Sequence, residues 1–188
     1  MATTDAQLPG GVSFEDRIRG AAGLRPAAYA EIAGHPGATL QAAIVVAVAA
    51  GADAIGNVAE EGGRGLVNGA VGGLFAWAVF AGIVLLVGTR LLGAGPARGL
   101  FERLLRALGF AQVPLVLTVF GVIPILGGFI ALVAFAWFST AAVVAIRQAL
   151  RVTLVQALVT GLIALLAYGL ARLVVWLLLG IGSWFGLG

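Results

Sequence analysis

Four polar side chains fall inside stretches that are otherwise apolar: Asp53, Asn57, Gln112 and Arg172. They are the residues whose types and positions could do chemistry. Asn57 follows Asp53 by four residues, which puts both on one face of a helix. At 1.5 Å per residue, Asp53 lies about 22 Å and Arg172 about 30 Å from the side on which their helices begin. A charge at that depth is expensive unless it is paired or hydrated. Two readings follow. Asp53 and Arg172 approach one another as a structural pair, or stay as separate charges near an interface. Alternatively, the four residues line a polar pathway for protons, ions or lipid headgroups. Buried charges serve structure more often than transport, so the first reading carries more weight.

Other chemistry finds little support. The single histidine, His35, stands beside the start of an apolar run and suits an interface better than a general base. Ser13, Ser139 and Ser183 have no histidine at a spacing that would activate a nucleophile. Cysteine is absent, and no cluster of metal ligands occurs. The glycines do not follow a strand and open a helix, so they do not form a phosphate-binding loop. The expectation is a protein that is not an enzyme and needs no cofactor or metal.

The solvent that these residues inhabit is set by composition. The chain has 188 residues, of which 61% are hydrophobic and 10% charged, with a mean hydropathy of +1.10. Soluble domains are about half apolar and about a quarter charged. Too little polar surface exists here to cover a particle in water, so most of the chain belongs in a bilayer. All eleven basic residues are arginine. They lie between apolar runs, where topology signals sit, so the basic balance does not point to nucleic acid. The first apolar run begins only after about 35 residues, which argues against a cleaved leader.

Three regions follow: a flexible tail over 1–12, an amphipathic interfacial segment over 13–35, and a five-span transmembrane domain over 36–188. Ser13 and Asp16 form a candidate N-cap pair, and Pro26 can open a second short helix, in which Tyr29 and Ile32 share a side. Span one covers about 38–58 and span two about 66–87. A basic interfacial helix around Leu100, Leu104 and Leu108 leads into 39 residues without an internal charge, 108–146. That length fits two spans joined by the turn "GVIPILGG", which contains Pro124. Pro114 lies inside the first arm and should kink it, with Gln112 a candidate for satisfying the freed backbone groups. Span five covers about 152–171. The remainder continues that helix, tilts, or follows the far interface. Gly65, Gly69 and Gly73 make a small-residue stripe for close helix packing, within the monomer or between copies.

Nine of the eleven arginines fall on one side of this layout. By the positive-inside rule that side, with the N-terminus, is cytoplasmic. A hairpin at 108–146 that dips in and returns would leave the same charge pattern.

Three stretches resemble bacterial Yip1-domain proteins: "LRPAAYAEIAGHPG", "RLLRALGFAQVPLVL" and "IPILGGFIALVAFAWFSTAAVVAIRQAL". The resemblance spans roughly residues 14–172. It implies an all-α, five-helix bundle in the cytoplasmic (inner) membrane. It further implies a role in membrane organisation, lipid handling or transport, with membrane lipids, copies of itself or other membrane proteins as partners. Eukaryotic relatives act in early secretory membranes and associate with Rab GTPases through a longer N-terminal region. Its Asp-Leu-Tyr-Gly-Pro-type motif is missing here, so a GTPase partner is not carried over. The competing expectation is a small channel or transporter built around the four polar residues.

Overall fold

The computed structural model describes residues 12–56, 65–91, 93, 98–123 and 126–184; at 65–70, 172, 175, 176 and 178–184 it describes the helical backbone alone. Most of the tail, together with Asn57 and Pro124, lies outside the described residues. Among those described, every regular element is helical: α1 Phe14–Ala22, α2 Pro26–Gly34, α3 Ala38–Gly56, α4 Gly65–Arg90, α5 Leu100–Phe110, a 3₁₀ segment Val113–Val122, α6 Leu126–Leu150 and α7 Leu154–Trp184.

The ends of α1 follow from its residues. The Ser13 hydroxyl accepts from the Asp16 N–H at 3.1 Å, and Glu15 and Asp16 complement the positive end of the helix dipole. At its other end Arg25 N–H donates to Gly20 O and Leu24 N–H to Ala21 O, each at 3.0 Å. This is the paired closure that ends many helices. Leu24 holds the left-handed position at φ 53°. Pro26 then opens α2 where its missing N–H costs nothing. Tyr29 and Ile32 do share a side, and both are fully buried. That side is covered by protein, because α2 packs on α5 and α6. The ring of Phe14 meets Phe110 edge-on at 6.0 Å, docking α1 as well.

Four helices are long and apolar enough to cross a membrane: α3, α4 over Val71–Arg90, α6, and α7 over Leu154–Ala171. A fifth crossing is available if α5 and the 3₁₀ segment count as one bent span. Their two axes differ by about 40°. The expected kink at Pro114 is thus a change of helix type. Pro114 cannot donate, and its ring would crowd the carbonyl four residues back. Hydrogen bonds shorten to three-residue steps from Gln112 N–H to Gly109 O (3.1 Å) and from Leu115 N–H to Gln112 O (2.9 Å). At about 2.0 Å per residue, ten 3₁₀ residues span about 20 Å, further than the same number in an α-helix.

Close contacts fix the directions of the helices. Gly109 packs on Ala42, and Gly121 on Gly56, so α5 and the 3₁₀ segment run alongside α3 to its far end. The first arm of the hairpin is therefore as deep as span one. Gly73 faces Ala50 and Gly88 faces Leu150, so α4 returns antiparallel and finishes beside the end of α6. Helix α7 packs on α4 and α6 and continues unbroken to Trp184. The core is built mainly from alanines and a few large residues, including Val46, Leu104, Leu108 and Ile146. Large side chains such as Phe75, Phe129, Leu132 and Leu162 remain exposed. In water such faces would be a liability, whereas in lipid they are the ordinary outer surface.

Candidate functional site

The polar groups that interact do so at one end of the bundle, where α3 and α5 begin and α4 and α6 finish. Arg17 of α1 is only 3% exposed. Its Nε donates to Glu31 Oε2 at 3.0 Å, one terminal nitrogen to Glu31 Oε1 at 2.7 Å, and the other to Gln41 Oε1 at 2.7 Å. A two-point fork of this kind is the strong form of an arginine–carboxylate pair. The Glu31 hydrogen bond raises the Arg17 guanidinium above its ordinary value, against the desolvation that lowers it, and so keeps it charged. One side chain thereby ties α1 to α2 and α3.

Arg106 of α5 makes a second tie. Its Nε donates to Thr39 Oγ1 at 2.8 Å and a terminal nitrogen to Ala33 O at 3.0 Å. Ala33 belongs to the last turn of α2, whose carbonyls have no partner within the helix. Arg103, one turn earlier, reaches the C-terminal turn of α6: a terminal nitrogen donates to Gln148 O at 3.4 Å. Its Nε is buried with no acceptor. Indole nitrogens bridge other helices, from Trp77 to Leu105 O (3.0 Å) and from Trp137 to Ala22 O (3.1 Å).

Tyr29 donates to Ala21 O at 3.2 Å inside the core. Burial raises its phenol well above the usual tyrosine value. The folded state therefore keeps a proton that the unfolded chain releases near pH ~10. Stability from this group is complete below about pH 10 and falls as pH rises further. Tyr29→Phe should lose about 1 kcal/mol near neutrality through the missing hydrogen bond. Melting in detergent at about pH 8 and about pH 11 checks this: the wild type should lose more stability over that interval than the variant.

Of the polar residues singled out from the sequence, the two whose side chains are described, Asp53 and Gln112, are not part of this network. Asp53 is exposed on α3. Among the described residues the ion pairs are Arg17–Glu31 and Glu15–Arg19, and neither includes Asp53. Arg172 falls within α7, but its side chain, like Asn57, is outside the described residues. Gln112 is half-buried, makes no side-chain cap bond, and serves the 3₁₀ segment through its carbonyl. Gly73 packs on α3, whereas the surroundings of Gly65 and Gly69 lie outside the described residues. His35 Nδ1 accepts from Gly37 N–H at 3.1 Å and shapes the turn before α3. Ser139 donates to Phe135 O within its own helix. Among the described residues no group of three or more His, Cys, Asp or Glu side chains could hold a metal ion.

A cavity of about 160 Å³ lies between α1, α3 and the 3₁₀ segment. Phe14, Ile18, Ile44, Val48, Val113 and Val116 are among its walls, and all of its lining is apolar. Sequence reasoning did not find the Arg17 tie. The available signal was Arg17 itself, which sits between Phe14, Ile18 and Ala21 on the apolar face of α1. A charge in that stripe requires a buried partner.

This architecture defines a polytopic helical membrane protein, its spans packed through small residues and most of its described arginines gathered at one end. The chain belongs to the Yip1 family: the Yip1 domain model matches residues 24–177, from the closure of α1 into α7. No curated protein and no solved structure matches the chain.

Proposed function

We propose that this Yip1-family protein is a non-enzymatic organiser of a bacterial inner membrane, acting by lateral association with copies of itself or with other membrane proteins. Its N-terminus lies on the cytoplasmic side in this reading. That orientation is supported by the arginines at the ends of α4, α5 and α6.

One observation carries the association reading. The outer face of α7 presents Val155, Leu158, Leu162 and Leu165, all at least a third exposed. Their spacing of three, four and three residues matches the repeat that pairing helices use, which supports this reading. This helix is also the most peripheral: 17% of its span is buried, against 39% for α3. The walls of the cavity beside α3 are apolar, which gives a hydrated path no support there.

The absence of cysteine makes the test direct. Single cysteines placed in turn at 155–166 should crosslink in native membranes with a repeat of three and four, peaking at Leu158→Cys, Leu162→Cys and Leu165→Cys. A uniform, low yield along the helix would count against association. Ion or proton flux in liposomes that Asp53→Ala abolishes would replace this reading with the channel or transporter.

A further inference from the structure

The turn between α6 and α7 collects positive charge without a carboxylate to balance it. Arg103 reaches that turn with a single long bond to Gln148 O, at 3.4 Å, while its buried Nε–H has no acceptor. Arg106 and Arg151 are the cations that act on it as like charges. Arg106 is already engaged by Thr39 and Ala33. Arg151 is exposed and held at φ 56°, in the left-handed region. That conformation disfavours residues other than glycine, as at Leu24 past the end of α1. It closes α6 through Val152 N–H to Arg147 O at 3.3 Å, a task that glycine would perform without strain.

Helix capping explains only part of this arrangement. A cation at the end of α6 satisfies a carbonyl and the helix dipole. It does not explain why a second arginine stands at this turn with no carboxylate among the described residues paired to it. Among the described residues, no carboxylate pairs with Arg103, Arg106, Arg147 or Arg151. An anion at the turn would accept from the exposed Arg151 and relieve the repulsion among these cations. Exposed apolar side chains also stand beside it, Leu91 just past α4 and Leu154 and Val155 at the start of α7, along with the polar Arg90, Arg147 and Thr153. A ligand with a negative head and a hydrocarbon body fits both features. We propose that Arg103 and Arg151 form a headgroup site for the phosphodiester of an anionic membrane lipid, whose acyl chains lie along α7. The guanidinium fork matches two phosphate oxygens, and basic recesses between membrane helices are suited to such heads. The inference rests on no part of the association reading.

Native mass spectrometry of the full chain in detergent, titrated with phosphatidylglycerol or phosphatidylcholine, tests the site. The wild type should retain phosphatidylglycerol preferentially. Arg151→Ala should weaken that retention about fivefold and Arg103→Ala by about tenfold. Arg103→Lys, which keeps the charge and loses the fork, should also bind more weakly than the wild type. Arg19→Ala removes the same charge from an exposed pair with Glu15 and should leave retention within about twofold. The proposal is overturned if Arg151→Ala and Arg103→Lys both retain phosphatidylglycerol as Arg19→Ala does. Inorganic phosphate provides the other arm. If it binds the lipid-free protein and displaces phosphatidylglycerol at low millimolar concentration, the site belongs to a free anion and the lipid assignment fails.

Discussion

Replacing Glu31 by alanine is expected to destabilise the protein by about 2–3 kcal/mol and to lower its melting temperature in detergent by roughly 5–10 °C. The cause is what the substitution leaves behind. Arg17 is 3% exposed and loses two of its three hydrogen bonds, keeping only Gln41. A charge stripped of its partner in such a place typically costs about 3–5 kcal/mol. The lower end applies because the Glu31 side chain is 28% exposed, so water can reach part of the vacated space. Glu31→Gln, which retains one oxygen, should fall between the alanine variant and the wild type.

The pair need not itself be strongly stabilising, and a second substitution separates the two ideas. Arg17→Met combined with Glu31→Leu removes both charges and restores apolar volume. It should recover most of the lost stability, since a buried ion pair often does no better than a well-packed apolar one. A Glu31→Ala protein within about 0.5 kcal/mol of the wild type would show that Arg17 is hydrated despite its burial. A double variant less stable than Glu31→Ala alone would show that packing, not the orphaned charge, sets the cost. Protease access to residues 14–34 should rise in Glu31→Ala, because the same tie holds α1 over the walls of the apolar cavity.

This tie also marks how far the sequence could be read. Apolar run lengths gave four of the spans and their order, because a bilayer imposes one length on every crossing helix. Charge-free residues 108–146 fitted a hairpin for that reason, and Pro114 foretold a disturbance in its first arm. Sequence could not say that the disturbance would be ten residues of 3₁₀ helix. That depends on how closely the segment packs against α3. Long-range partners were equally hidden: Glu31 and Gln41 lie 14 and 24 residues from Arg17, and no helical spacing connects them. Tyr29 and Ile32 were legible as one apolar side. Whether lipid or protein covered that side depended on the position of α5 and α6. Asp53 stood out because an acid in an apolar run is costly, and Arg172, the partner expected for it, has its side chain outside the described residues.

The 3₁₀ segment carries the other large expected effect, at Gly56. A Cβ there would overlap the carbonyl oxygen of Thr118, with the Thr118 carbonyl carbon 3.1 Å and Gly121 Cα 3.5 Å away. These are backbone atoms, so no rotamer change can make room. Either α3 or the 3₁₀ segment must shift, and overpacking of this kind costs about 1–3 kcal/mol. Alanine otherwise favours a helix over glycine by about 1 kcal/mol, so the two effects oppose one another. Gly51 isolates the second, because no atom lies within 4 Å of a Cβ built there. Gly51→Ala should be neutral or slightly stabilising, while Gly56→Ala should lose up to about 2 kcal/mol and melt as much as roughly 8 °C lower. Equal melting of the two variants would mean that the 3₁₀ segment yields freely and that α3 does not fix its depth. A deficit confined to Gly56→Ala would instead make this glycine pair, Gly56 against Gly121, the point at which the bent span is held to full depth beside the first.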